Sequence, residues 1–225
     1  MMDKLTLVIP AKNESESLPK VLNELSSLKI KVIVVIPADD NLTRQSIKNF
    51  DCKVIEEKNG KGYGCALRTG IEQVDTDFFC IFNADGSFDP MYLSIMYKNL
   101  IENNTDFIFC SRYDVKGGSD DDTFLTYIGN KIFTFLCNLL FGLGLTDVLF
   151  TYVMGKSEKY KFLDLRSNDF SFCVEFPIKA KFNGFILSNT PSYERLRIAG
   201  VKKVNEFKDG FLILISIIRI LILRK

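Results

Sequence analysis

The chain has 225 residues, 29 Lys and Arg against 28 Asp and Glu, and neither histidine nor tryptophan. That length fits one domain with a sizeable core, and the balanced charge gives no basic surface for nucleic acid. Without histidine there is no Ser-His-Asp chemistry, no His-ligated zinc and no imidazole base, which leaves carboxylates, Lys, Tyr and Cys for proton transfer. The six cysteines (Cys52, Cys65, Cys80, Cys110, Cys137, Cys173) form no Cys-x-x-Cys pair and sit mostly in apolar runs, a pattern of reduced, cytosolic core residues rather than of a disulfide framework. The first apolar run, Leu5 to Pro10, is too short for a signal peptide, so none is expected.

In chain order, Leu5 to Pro10 reads as a buried strand and residues 11–17 as a polar loop. A helix is expected over about 18–28, with Pro19 tolerated in its first turn. Lys31 to Ile36 is a second apolar strand ending at Asp39 and Asp40. A helix capped by Asn41 or Thr43 is expected to run to Phe50, then a short strand over 53–56. The Gly- and Lys-rich loop 58–64 leads into a helix over 66–73; it fits neither a Rossmann fingerprint nor a Walker A loop, yet could cradle phosphate. Phe78 to Phe82 is a strand apolar on both faces, stopping at Asn83-Ala84-Asp85-Gly86-Ser87, and Pro90 opens a helix to Glu102. A strand over 105–110 ends at Ser111-Arg112-Tyr113.

Buried strands alternating with helices predict an α/β fold with an open, mostly parallel, twisted sheet flanked by helices. Polar residues recur where strands end: Asn13 and Glu14, Asp39 and Asp40, Asn83 and Asp85, and Arg112. In such a sheet this rim is where ligands bind.

Four segments carry a resemblance to family 2 glycosyltransferases of GT-A, Rossmann-like fold. They are Ile9-Pro10-Ala11-x-Asn13-Glu14, Gly60-Lys61-Gly62-x-Gly64-x-Ala66-Leu67-Arg68-x-Gly70, Asn83-Ala84-Asp85-Gly86-Ser87-Phe88-Asp89-Pro90 and Ser111-Arg112-Tyr113 followed by Gly117-Gly118. Their order and spacing most resemble the dolichyl-phosphate mannosyltransferases and bacterial polyprenyl-phosphate glycosyltransferases, over about residues 5–203. The resemblance implies that Pro10, Ala11, Asn13 and Glu14 line a nucleoside pocket, with Asp39 or Asp40 reading base or ribose, and that Lys61, Ala84 and Lys203 also contact the nucleotide sugar. Asn83, Asp85 and Ser87 would hold Mg2+ or Mn2+ on the donor diphosphate. Arg112 would meet the acceptor phosphate, and Arg197, in the basic loop that includes Lys202 and Lys203, would close over the diphosphate. Asp85, Arg112 and Arg197 thus form the expected catalytic set, and Asp114 and Glu175 stand on the acceptor side. The sequence departs from the family's pattern twice: Asn83 replaces the first acid of the metal motif, and Pro37-Ala38 stand where relatives have an Asp pair.

The implied activity is inverting, metal-dependent transfer of a sugar from a nucleotide-diphosphate sugar to a polyprenyl phosphate. Such an acceptor oxygen is already anionic, its second pKa being about 6, so it needs positioning more than deprotonation. A saccharide hydroxyl acceptor would instead need a carboxylate base, for which Asp114, Asp120, Asp121 and Asp122 are candidates. A relative that has lost catalysis through Asn83 is the alternative outside enzyme chemistry. The apolar stretch 124–145, broken by Gly129, Gly142 and Gly144, reads as one or two amphipathic helices at an interface or as a core helix. The stretch 204–225 is apolar, with Arg219, Arg224 and Lys225, and is shorter than the roughly 20 residues that span a bilayer. It suits a helix lying in an anionic cytosolic leaflet, beyond a glycosyltransferase domain over 1–203; a dimer-forming or core-capping helix is the competing reading. The expected partners are a nucleotide-sugar donor, a lipid phosphate and a membrane surface, with homo-oligomers left open, at the cytosolic face of a membrane.

Overall fold

The computed structural model describes residues 2–57, 62–200 and 203–223. Lys61 and Lys202 therefore lie outside the described residues. In chain order the strands are β1 (Leu5–Pro10), β2 (Lys31–Ile36), β3 (Lys53–Glu56), β4 (Phe78–Ile81), β5 (Phe107–Ser111), β6 (Gly118–Ser119), β7 (Val153–Lys156), β8 (Leu187–Pro191) and β9 (Tyr193–Glu194). The helices are α1 (Leu18–Leu25), α2 (Asn41–Ser46), α3 (Tyr63–Ile71), α4 (Met91–Glu102), α5 (Phe124–Phe141), α6 (Ser157–Tyr160), α7 (Phe172–Phe182) and α8 (Glu206–Leu223).

Seven strands make one sheet in the order β3-β2-β1-β4-β7-β5-β8, and β6 pairs with β9 in a separate ribbon. Only β7 runs antiparallel to its neighbours, β4 and β5. The carboxyl ends of β1, β2, β4 and β5 therefore share one rim. The alternation of side chains across the pleat splits the core in two. Leu5, Leu7 and Ile9 face α1 and α4, joined by Cys80 and Phe82. Val8, Phe79, Ile81, Phe107 and Phe109 face the other way, onto α3 and α7. Burial on both faces is why these strands read as unbroken apolar runs.

Several boundaries differ from the sequence expectation. The first helix ends at Leu25 and tightens into a 3-10 turn over Ser26–Leu28, closed by Lys29 in the left-handed region. α2 stops at Ser46 instead of Phe50, because Ile47 leaves helical geometry and turns into the core. α3 starts at Tyr63, three residues earlier than expected, at the point where Gly62 with φ +136° admits the chain. Residues 124–141 form one continuous helix. Gly129 does not break it: a Thr123–Thr126 capping box anchors its start, and an interior glycine costs only about 1 kcal/mol. Gly142 and Gly144, at φ +63° and +71°, end it.

The apolar tail is α8, and Ile213, Ile217 and Ile220 bury one side of it in the second core beside α7 and α5. Its other side, with Phe207, Phe211, Ile215, Ile218 and Ile222, is exposed. The exposed face of α5 adds Phe124, Leu125, Ile128, Ile132, Phe135 and Leu139, with Phe124 81% and Phe135 64% accessible. α5 is long and apolar enough to cross a membrane by length and composition alone, yet Thr134 and Cys137 are buried.

Candidate active site

The loop after β1 is tied to the loop after β2. Asp40 caps α2, accepting the Thr43 N–H at 3.1 Å, and its other oxygen takes the Asn13 N–H at 2.6 Å. That bond holds Asn13 at φ +56°, a left-handed conformation that asparagine tolerates better than most residues. Glu14 N–H meets Thr43 Oγ1 at 2.9 Å, and the buried Glu14 carboxylate accepts from Ser17 Oγ at 2.5 Å and from the ammonium of Lys203. Burial acts to raise the Asp40 pKa, but the bonds from Asn13 and Thr43 outweigh it and hold the group below the ordinary carboxylate value. The sequence left Asp39 and Asp40 as alternatives; Asp40 is buried in this loop tie and Asp39 faces solvent. Ala11 continues β1 through a bond to Val35 O (2.9 Å), setting Pro10 at the rim.

At the end of β4 the residues Asn83, Asp85 and Ser87 converge. Ser87 Oγ donates to Asp85 Oδ1 at 2.7 Å, the Ser87 N–H reaches the same oxygen at 3.0 Å, and Asn83 Nδ2 donates to Ser87 Oγ at 3.2 Å. Gly86 makes the turn at φ +83°, and Ala84 is buried beneath it. A strap formed by residues 194–200 crosses this loop. The Ile198 N–H bonds Asp85 O at 2.7 Å and Arg195 N–H bonds Ser87 O at 2.9 Å. The Arg195 guanidinium adds bonds to Gly86 O, Phe88 O and both oxygens of Glu24. A Cβ on Gly86 would come within 2.4 Å of Ile198 Cδ1, so the strap needs glycine at that turn. Arg197 pairs with Asp121, and that bond keeps its guanidinium more basic than usual, with Asp85 and Glu194 contributing. Lys203 and Arg197, the two cations expected at the diphosphate, are both paired to carboxylates, Arg197 of the strap to Asp121 and Lys203 to Glu14 of the loop after β1.

Arg112 directly follows β5. Its Nε and one terminal nitrogen grip Asp147 at 2.7 and 3.1 Å, and its other terminal nitrogen meets Glu194 at 3.2 Å. The guanidinium also packs over Tyr113 and Phe150. Burial opposes its charge, but Asp147 and Glu194 more than compensate, and Arg112 is held charged. Glu194, which also accepts from Ser119 Oγ at 2.5 Å, is pushed above the ordinary value by burial. With each nitrogen already facing a carboxylate, Arg112 joins the end of β5, the 146–150 segment and β9. Glu175 is likewise committed, taking the N–H groups of Arg166 and Ser167 at 2.7–3.0 Å and the ammonium of Lys179 at 3.0 Å. It holds the 166–169 loop against Gly62 and Gly64, where any Cβ would collide with backbone oxygens. Asp114 closes a turn, with its Oδ1 on Val115 N–H and its carbonyl on Gly117 N–H. The sequence reading missed Asp147 and Glu194; an isolated aspartate in the apolar stretch 139–150 was the available sign of a paired buried charge.

The donor set suits a divalent cation under one condition. Among the described residues no cluster of three or more His, Cys, Asp or Glu could hold a metal. One carboxylate, one amide and one hydroxyl are hard oxygen-bearing groups of the kind Mg2+ or Mn2+ accepts, provided that substrate phosphates supply the rest. A separate cavity of about 600 Å3, lined in part by Lys29, Lys31, Phe50 and Asp75, opens at the amino end of β2 and shares no residue with this rim.

A profile of glycosyl transferase family 2 matches residues 6–163. An uncharacterized protein of Methanocaldococcus jannaschii is 27% identical over 96% of this chain and 91% of its own length. A UDP-N-acetylglucosamine–dolichyl-phosphate N-acetylglucosaminyltransferase of Methanococcus voltae is 24% identical, over 85% of this chain and 86% of that protein. A low-salt glycan biosynthesis hexosyltransferase of Haloferax volcanii is 22% identical over 92% of this chain, which spans about half (51%) of that protein. Among solved structures, glucosyl-3-phosphoglycerate synthase of Mycobacterium tuberculosis, in complex with Mn2+, UDP-glucose and phosphoglyceric acid, superposes with a TM-score of 0.78 at 14% identity, over 96% of this chain and 79% of that one. This last likeness concerns the fold.

Proposed function

Because the chain belongs to glycosyl transferase family 2 and is therefore a glycosyltransferase, we propose that it moves a sugar from a nucleoside-diphosphate sugar to a polyprenyl phosphate, with inversion, at the cytosolic face of a membrane. The observation that carries this reading is the arrangement around Asp85: a polar loop at the rim of a parallel sheet, crossed by a strap bearing Arg197 and leading to Lys203, next to helices with an exposed apolar face. The name of the Methanococcus relative, which includes dolichyl phosphate, supports the acceptor class, and the UDP and Mn2+ of the structural neighbour support the donor class.

The donor nucleoside fits between the Pro10–Glu14 loop and the exposed Asp39. Its diphosphate lies towards Asp85, where Arg197 and Lys203 can exchange their carboxylates for phosphate oxygens. A Mg2+ or Mn2+ ion held by Asp85, with Asn83 and Ser87, would neutralise charge on the diphosphate leaving group. In the transfer, an acceptor phosphate oxygen forms a bond to the anomeric carbon from the face opposite the diphosphate. The bond from that carbon to the β-phosphate oxygen breaks with its electron pair, and the nucleoside diphosphate departs. No proton has to be removed from a dianionic acceptor.

A lipid phosphate is favoured over a saccharide hydroxyl by the name of the Methanococcus relative and by the exposed apolar helix faces. Of the four candidate bases, Asp114 bonds only the backbone of its own turn, and the other three are engaged by side chains. Asp120 accepts from Tyr193 OH, Asp121 pairs with Arg197, and Asp122 accepts from Tyr113 OH and Thr126 Oγ1. Nucleotide sugars supplied with either farnesyl phosphate or a saccharide, in Mn2+, test this assignment by mass spectrometry of the products. A sugar–phosphate–farnesyl product is expected, and product on the saccharide alone would overturn the lipid-phosphate reading.

A further inference from the structure

Given that reading, we propose that Lys131, cradled by Tyr113 and Tyr127, is the cation that receives the phosphate of the lipid acceptor. The residue expected to do so, Arg112, has its guanidinium turned inward onto Asp147 and Glu194. Arg197 and Lys203 stand on the donor side, paired with Asp121 and Glu14.

Lys131 is the only charged residue in α5. It falls among the exposed apolar positions Ile128, Ile132, Phe135 and Leu139, which share a helix face by their spacing of three to four residues. Its ammonium lies 4.8 Å from the Tyr113 ring centroid and 5.8 Å from that of Tyr127, and the two rings meet edge to face at 5.2 Å. Among the described residues it forms no ion pair. Contact with aromatic faces fixes an ammonium without neutralising it, so the charge stays available to an anion.

The cradle is itself fixed. Tyr113 OH donates to Asp122 and accepts from Asn130 Nδ2 at 2.8 Å, while Thr126 Oγ1 takes the other oxygen of Asp122 at 2.5 Å. Asp121, next in the chain, holds Arg197 of the strap over the Asp85 loop. The contacts thus run without a gap from Lys131 through Tyr113 and the Asp121–Asp122 pair to the donor side. A phosphate on Lys131 would have its polyprenyl chain along the apolar stripe of α5 and its free oxygens towards the strap.

The test uses the full-length protein, farnesyl phosphate in detergent and whichever nucleotide sugar the wild type turns over. Lys131→Gln should raise the KM for farnesyl phosphate about tenfold or more, the range for losing a charged hydrogen bond. The KM for the donor should stay within about twofold, and Lys131→Arg should recover most of the acceptor affinity. An unchanged acceptor KM in Lys131→Gln, with the wild type active, would overturn this assignment and leave the proposed reaction standing. Wild-type product on saccharides alone would overturn both. A variant that loses sedimentation with phosphatidylglycerol vesicles while keeping its acceptor KM would make Lys131 a headgroup contact, which also overturns the assignment.

Discussion

Asp85 is the one carboxylate of the Asn83–Asp85–Ser87 group, so the charge demand of any bound cation falls on it. Asp85→Ala should reduce turnover by at least about 100-fold, on the scale of losing one preorganised electrostatic contact to a developing charge, with little change in melting temperature. Asn83→Asp supplies a second carboxylate and should lower the Mn2+ concentration needed for half-maximal turnover, as an initial-rate titration would show. The loop tie at Asp40 is structural: Asp40→Ala removes a helix N-cap and should cost about 1 kcal/mol in denaturant unfolding. Acid sensitivity has named sources. Burial works to raise Asp106 as it does Asp40, but the Ile186 N–H and Lys156 hold Asp106 below its ordinary value. For both groups the folded pKa lies under the unfolded one, so their stabilisation is complete above the unfolded value, about 4, and is lost as pH falls through the folded values. The contribution of these two groups to melting temperature should therefore be lost below about pH 4, and Asp106→Asn should blunt that fall.

At the scale of elements, the strap 194–200 is bonded across the Asp85 loop, where the donor diphosphate is proposed to lie. Gly86→Ala forces a left-handed alanine, costing about 1–2 kcal/mol, and pushes a methyl group into Ile198; donor KM should rise in steady-state kinetics more than kcat falls. Arg112→Ala breaks a buried ion network, with side-chain accessibility of 9% for Arg112 and 0% for Asp147. It should cost about 3–5 kcal/mol of stability, so lost activity in that variant reports folding. Which of these features was legible in the sequence follows from their physical range. β1, β2 and β4 announce themselves because strands buried on both faces are apolar throughout, and the polar residues ending them mark the rim without ambiguity. The ion network around Arg112 was not legible. Its partners lie 35 and 82 residues away in sequence, and an arginine at a strand end looks the same whether it faces a ligand or a carboxylate. Gly129 misled in the opposite direction, since the local cost of a glycine is smaller than what capping and packing return.

Across the whole molecule, α5 and α8 join the second core by one side and leave the other side apolar and exposed, a larger surface than scattered surface hydrophobics would make. We propose that this face rests on the lipid surface holding the acceptor. Phe135→Glu combined with Ile218→Glu should abolish sedimentation with phosphatidylglycerol vesicles while melting temperature holds. Deleting α8 would instead uncover its buried isoleucines and is a poorer test. The most direct measurement on the complete reaction is sugar transfer to farnesyl phosphate in three parallel reactions: wild type with Mn2+, wild type with EDTA, and Asp85→Ala with Mn2+. Lipid-linked sugar is expected in the first reaction only. Equal product in all three would contradict a metal–diphosphate site at Asp85, and with it the reaction built on that site.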